Sequence, residues 1–410
     1  MLGRRFAKKS RGWTVMVYMV ADDDDGVFTN DHMGKELDAI REAVTRHPAA
    51  RIAIQEDIRQ GGLNRYFVED GALVKQDIRN RAPGSVATIR DFIKFGTGKH
   101  PSEHNLFIFW GHGFGPAGLR YGRLVLPKDL RTALRSGFGL LGPPIDIVAF
   151  MSCQMSVVEL AYEFSEWIGI QFTRVADHII ASQGSVQPEE PFPYGELLPL
   201  LSRDTDDAKA VATGVVNILN KNGSGKGLRF VAPFSLVDVR NARRVADALK
   251  ALAADIVATN PFKADHSKLT QVQEAMHDAL DAAHTHDLSL LDLGRLGRRF
   301  GALPLTNARD AAERSRLERL RAAGAQLSRA VEDAFVVHRH DGNGHTDTGA
   351  SVFCPTHHDP GTKAANAMHM RTIPTVEFAV ARDIGAYRDS WFARHTNWNQ
   401  VVDQARNADG

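Results

Sequence analysis

The chain has little of what marks out a special class of protein. Of its 410 residues only Cys153 and Cys354 are cysteine, which excludes a disulfide framework or a cysteine-rich zinc module and leaves room for one bridge at most. An excess of one charge is missing as well. Fifty Lys and Arg stand against 49 Asp and Glu, a formal net charge of +1, so composition offers no footprint for nucleic acid or an anionic membrane surface. No apolar run approaches the ~20 residues needed to cross a bilayer. The basic residues 1–10 precede an apolar run, Trp13 to Ala21, but that run ends in Asp22, Asp23, Asp24 and Asp25 rather than in a small-residue cleavage site. It reads as a buried strand, and the expected location is cytoplasmic, with export by another route left open. A Walker-type phosphate loop and a dinucleotide fingerprint are absent too.

What is there is a repeating texture. Short apolar runs rich in β-branched and aromatic residues occur at 13–20, 51–55, 105–110, 145–150 and 178–182. Between them, residues 32–46, 86–95, 128–136 and 154–168 carry apolar side chains at three- and four-residue spacing. That alternation predicts βαβ units feeding a mostly parallel sheet. Beyond about residue 235 the pattern turns helical, at 240–258, 268–284 and 308–335, and strand chemistry returns only at Ala350 to Cys354, ended by Pro355. The expected organisation is a catalytic unit over 1–235 and a helical region over 236–410 that sends one strand, near 350–354, back to the core. The stretch 340–349 reads as its main loop.

In open parallel sheets the reactive crevice lies beyond the carboxyl ends of the strands. His112 and Cys153 each follow a predicted strand, 41 residues apart, a gap that holds one helical crossover. Neighbouring parallel strands bring the two side chains together. A helix beginning just after Cys153 would favour the thiolate through its positive end, and a histidine can give and take a proton near neutral pH. Glycines flank His112, and the amides of Gly113 and Cys153 are candidate oxyanion-hole donors, a role typically worth roughly 3 to 4 kcal/mol per donor. The competing reading makes Cys153 a small buried apolar residue and His112 one of 17 incidental histidines.

The residues also resemble those of clostripain and its bacterial relatives, and more distantly gingipains and caspases. The similarity begins at Trp13 to Asp22, continues at Leu106 to Gly113 and Ile147 to Met155, and resumes at Val158 to Glu163, Ala181 to Gln183, Pro193-Tyr194 and Phe234 to Asp238. It closes with Asp287 to Leu293, Gly349 to Pro355, Tyr387, Trp391 and Trp398. The resemblance implies a caspase-like three-layer α/β/α sandwich with a mostly parallel central sheet. It also implies a cysteine endopeptidase working by a dyad, with Cys153 as nucleophile and His112 as its partner, and a protein or peptide substrate. The alternative from another class is an inactive caspase-like homologue that binds peptide or a partner through the same groove.

One departure bears on specificity. Relatives that cut after Arg or Lys usually carry Phe-Asp-Ala-Cys, where this chain has Phe150-Met151-Ser152-Cys153. A buried cation needs a paired carboxylate, which Met151 cannot supply, so either Asp177, Glu189 or Glu190 compensates or the preference has changed. Cys354, where relatives commonly have an aromatic residue, reads as strand packing. Self-processing in the segment Arg120 to Ser136, which carries Arg120, Arg123, Lys128, Arg131 and Arg135, is weighed against the plainer reading of a wet helix face. The run Asp22 to Asp25 is read chiefly as a solvated helix-capping loop. No cofactor is required, although a calcium site, known in parts of the family, is compatible with the run. The histidines at 338, 340, 345, 357 and 358 lack the spacing of a metal pair on a helix. A metal-dependent hydrolase built on the aspartate run is the third and weakest rival. The oligomeric state is not written in the sequence.

Overall fold

The computed structural model describes residues 10–21, 28–58, 62–78, 84–120, 124–139, 143–165, 174–186, 190–202, 207–221, 234–262, 269–283, 289–337, 348–354 and 384–407. Its strands are β1 (Ser10–Ala21), β2 (Ile52–Ile58), β3 (Gly62–Glu69), β4 (Ala72–Ile78), β5 (Ser102–Trp110), β6 (Leu119–Arg120), β7 (Leu124–Val125), β8 (Ile145–Met151), β9 (Ala176–Ser182), β10 (Phe234–Asp238), β11 (Leu290–Asp292), β12 (Phe335–Val337) and β13 (Ser351–Phe353). Nine of them form one sheet in the order β12-β10-β9-β8-β5-β1-β2-β3-β4. The five central strands, from β9 to β2, run parallel, and antiparallel pairs close both edges.

The side-chain alternation of β1 explains why the sheet is covered on both faces. Met16, Tyr18 and Val20 enter one apolar cluster, while Val15, Val17 and Met19 enter another, as expected of a strand buried between two helical layers. The second cluster is completed by helices α1 (Asn30–Arg46), Tyr194–Leu201 and Ala208–Leu219. On the opposite face lie α2 (Val86–Lys99), α3 (Pro127–Phe138), α4 (Val158–Ser165) and Ala242–Thr259. Helices Gln271–Asp281, Leu293–Gly301, Ala311–Ala334, Trp391–Thr396 and Trp398–Arg406 extend the same apolar cluster. The architecture is thus an α/β/α sandwich with a mostly parallel sheet and a helical C-terminal region. Local chemistry starts its helices: the side chain of Thr29 accepts from His32 N–H at the head of α1, and that of Ser85 from Thr88 N–H at the head of α2.

Several elements differ from the sequence expectation. The β3–β4 hairpin, read as no element from the sequence, turns at Asp70-Gly71, both with positive φ (51° and 75°), a turn that suits the twist of the flanking strands. The helix expected over 154–168 begins only at Val158. The strand near 350–354 packs in the core, with Val352 and Phe353 buried, and lies outside the central sheet. As β13 it pairs antiparallel with β11, and Ser351 bridges Val157 beside the Cys153 loop. The chain passes residue 235 inside β10, and β12, from the far half of the chain, pairs with β10 at the sheet edge.

Candidate functional site

The parallel register of β5 and β8 ends at the pair Trp110 and Met151, with Gly111 N–H donating to Met151 O at 3.3 Å. One residue further on each chain come Gly111 and Ser152, and then His112 and Cys153. The two residues expected to meet therefore leave neighbouring strands at the same step, at the carboxyl end of the sheet. His112 is buried. Its ring lies between Phe28, edge-on at 4.9 Å, and Phe114, stacked at 6.3 Å, and Phe28 also meets Trp110 edge-on at 4.9 Å. Cys153 is half-buried and packs against the cluster that contains Met151, Trp110 and Val186.

The loop after His112 folds back on itself. Arg120 N–H donates to His112 O (3.1 Å), Phe114 N–H to Gly118 O (2.8 Å), and Gly113 bridges Leu119. Gly113 is fixed by close approach: a Cβ there would lie 2.4 Å from Cys153 O and 2.9 Å from the Ser152 side chain. Only glycine lets the two loops touch.

The Cys153 loop is held from the side of β9. Gln154 takes a left-handed φ of 59°, Gln154 N–H donates to Gly184 O (2.9 Å), and Ser156 N–H donates to Ser182 O (3.0 Å). Val186 N–H donates to Cys153 Sγ at 3.3 Å, and the sulfur lies 3.5 Å from Val186 O as a thiol donor. Because α4 starts five residues beyond the cysteine, the sulfur meets the N–H and C=O of Val186 rather than the first turn of that helix.

Sequence reasoning missed a buried polar junction behind this loop. Gln183 Nε2 meets Asp292 Oδ2 (3.0 Å), Ala350 O (3.2 Å) and Ser351 Oγ (2.7 Å), while Gly349 N–H donates to Gln183 Oε1 (2.9 Å). Ser156 Oγ donates to Gly349 O at 2.5 Å, and Asp292 also accepts from Thr348 N–H and Oγ1. Gln183 stood within a stretch that resembled the family, yet its partners lie more than 100 residues away, beyond any periodicity signal. Phe28 was missed because it follows a polar run; the rule that crevices gather loops at strand ends would have pointed to it.

The expected pocket residues separate. Met151 is buried in the apolar cluster at the end of β8. Asp177 lies at the amino end of β9, paired with Arg174, roughly 16 Å of strand from Ser182, and is not brought to the Cys153 loop. Glu190 is half-buried, and Glu189 lies outside the described residues. So do Asp22 to Asp25 and the histidines at 338, 340, 345, 357 and 358. Among the described residues no three His, Cys, Asp or Glu side chains gather as a metal site, and no helix is long and apolar enough to cross a membrane. In the 120–136 segment, Arg131 pairs with Glu163 (2.7 Å) and stacks over Trp391 (3.3 Å), and Arg135 is buried. Both are committed to packing. Arg123 lies outside the described residues.

Two buried carboxyls flank these elements. Glu36 of α1 accepts from Phe192 N–H and Tyr194 Oη, and burial raises its pKa to about 7. Glu159 of α4 accepts from Phe353 N–H (2.8 Å) and Tyr387 Oη (3.2 Å), and burial raises it likewise to about 7.

Sheet order and the helical layers on both faces define the caspase-like α/β class. The family model of the clostripain family, Peptidase_C11, matches residues 17–299, and the chain belongs to that family of cysteine peptidases. No curated protein matches the sequence. Among solved structures it is similar to an inactive zymogen C11 protease from Parabacteroides distasonis, at 14% identity and a TM-score of 0.53 over 95% of this chain and 99% of that one. It is also similar to a secreted C11 cysteine protease from Bacteroides thetaiotaomicron in complex with an irreversible peptide inhibitor, at 15% identity and a TM-score of 0.55 over 95% and 100%. A further structure of a secreted C11 cysteine protease from that organism, iotapain, gives 12% identity and a TM-score of 0.58 over 94% and 99%.

Proposed function

We propose that the chain is a cysteine endopeptidase in which Cys153 attacks the peptide carbonyl and His112 protonates the leaving amine, water then hydrolysing the thioester. The observation that carries this reading is the β5–β8 register, which brings both residues off adjacent strands at the same step. Gly113 and Cys153 supply the oxyanion-hole amides. Their support is the close approach of the Gly113 backbone to Cys153 O. The catalytic unit is residues 1–235, with the helical region 236–410 bracing it. The dyad needs no cofactor.

Residue preference turns on Met151. Its burial among apolar side chains supports a primary pocket without its own carboxylate, so cutting after Arg or Lys would rest on Glu189 or Glu190, Asp177 being at the other end of β9. Self-processing in the 120–136 segment falls on Arg120, Arg123 or Lys128, since Arg131 is paired with Glu163 and Arg135 is buried.

The test is a diverse peptide library mapped by mass spectrometry with the wild type and with Cys153→Ala and His112→Ala. Cleavage by the wild type that both variants lose supports the dyad and reports the preference. Cleavage retained in Cys153→Ala removes the assignment. A folded wild type that neither cleaves nor takes a covalent electrophilic peptide at Cys153 is instead the inactive, peptide-binding homologue.

A further inference from the structure

The imidazole of His112 is bounded by aromatic rings. Phe28 meets it edge-on, with centroids 4.9 Å apart and planes at 75°, and Phe114 lies nearly parallel to it at 6.3 Å and 19°. Both separations fall in the range where aromatic pairs attract, about 4.5–7 Å. Phe28 is the nearer of the two and comes from elsewhere in the chain. Phe114 stands two residues from His112 in the same loop, whereas Phe28 lies between β1 and α1. The ring needs such neighbours because the χ2 torsion of histidine is broad and roughly two-fold, without sharp staggered wells of its own. The plane of an imidazole is therefore decided by what packs against it, and a general acid or base works only in the right orientation, which a third group ordinarily supplies.

Further contacts make Phe28 a fixed wall. It is fully buried, and it meets Trp110 edge-on at 4.9 Å with the planes at 89°. One ring thus touches both the last residue of β5 and the histidine two residues beyond it. The residue after Phe28, Thr29, caps α1 by accepting from His32 N–H at 3.3 Å. Two turns into α1, the buried carboxylate of Glu36 accepts from Phe192 N–H at 3.0 Å and from Tyr194 Oη at 2.9 Å. The helix is tied down at its start and on its buried face, and the position of Phe28 is fixed with it.

We propose that Phe28 is a positioning residue, the ring whose packing sets the orientation of the His112 imidazole for proton transfer. It touches no reacting atom and acts through His112 alone. The proposal rests on the dyad reading given above and adds to it a part supplied from outside the two strands, β5 and β8, that carry the dyad.

The experiment is a double-mutant cycle on the full chain: wild type, Phe28→Leu, His112→Ala and the two changes together. It is read both by hydrolysis of a peptide from the library and by the rate of iodoacetamide alkylation of Cys153 at pH 6. Phe28→Leu should lower kcat by about ten- to a hundredfold while KM stays within about threefold. His112→Ala should slow alkylation by about tenfold or more, because a histidine partner is what raises the reactive share of such a thiol. Phe28→Leu alone should slow it by roughly three- to tenfold, and in the His112→Ala background it should change the rate by less than about twofold. Melting curves and a Cys354 that stays unalkylated verify the fold of each variant, and Phe28→Met replaces Phe28→Leu if the latter does not fold. A Phe28→Leu kcat within about twofold of the wild type overturns the proposal and leaves the dyad standing. So does an equal slowing of alkylation with and without His112, which would make Phe28 packing only. A wild type that does not cleave, or a His112→Ala variant that cleaves and alkylates as the wild type does, removes the dyad reading and the proposal with it.

Discussion

The backbone N–H of Val186 donates to the sulfur of Cys153 at 3.3 Å, whereas Cys354, the other cysteine, is fully buried and its thiol is pushed far above the ordinary range by burial and then by the charge of Asp281. The two thiols are therefore chemically unequal. Brief treatment of the folded protein with iodoacetamide should alkylate Cys153 and spare Cys354, and both should react after unfolding. Peptide mapping reads the outcome directly; alkylation of Cys354 in the native protein would contradict its burial.

Gly113→Ala places a methyl group 2.4 Å from Cys153 O, so one loop must move. The expected cost in stability is about 1–3 kcal/mol. The proposed peptidase activity, which would need the two loops in register, should fall about a hundredfold or more. Urea unfolding and kcat/KM on a library-derived peptide measure the two effects separately.

Gln183→Ala removes the junction between the segment after β9 and residues 349–351 and leaves Asp292 short of a donor. A loss of roughly 2–4 kcal/mol is expected. Because the segment 182–186 also holds Gln154, Ser156 and the sulfur, the alkylation rate of Cys153 should change with it. An unchanged rate would mean that the junction braces the fold without reaching Cys153.

Glu159 gives a pH test with a definite sign. Its carboxyl is raised by burial to about 7 from an ordinary 4.5, over the opposing hydrogen bonds of Phe353 N–H and Tyr387. Below pH 4.5 the group is protonated whether the chain is folded or not. Between 4.5 and about 7 the unfolded chain has released the proton and the folded one keeps it, so its contribution to stability declines as pH rises and is lost above about 7. Glu159→Gln keeps an acceptor for both hydrogen bonds and has no proton to lose. Relative to wild type it should gain on the order of 1–3 kcal/mol between pH 5 and pH 8, seen as a widening gap in denaturation midpoints.

Much of the central sheet was legible in the sequence because β1, β5, β8 and β9 are buried on both faces and so appear as short continuous apolar runs between amphipathic helices. The strand-end positions of His112 and Cys153 were legible for the same reason: each stands just beyond such a run. The β3–β4 hairpin was not, since Asn64, Arg65, Lys75 and Gln76 interrupt its strands and only Asp70-Gly71 announces it. The start of α4 was misplaced because the apolar spacing continues back through Met155 and Val157, which pack in the core without being helical. The partners of Gln183 come from residues 292 and 349–351, and no local pattern specifies a contact across that span.

The placement of β12 and residues 348–351 has a bearing on synthesis. A ribosome emits the strands that carry His112 and Cys153 long before Gly349 and Ser351, so on a nascent chain Gln183 and Ser156 face water where the finished molecule offers them partners. The segment around the sulfur receives these restraints only once residues 349–351 have been made, which ties the timing of its final geometry to a part of the chain far downstream of Cys153.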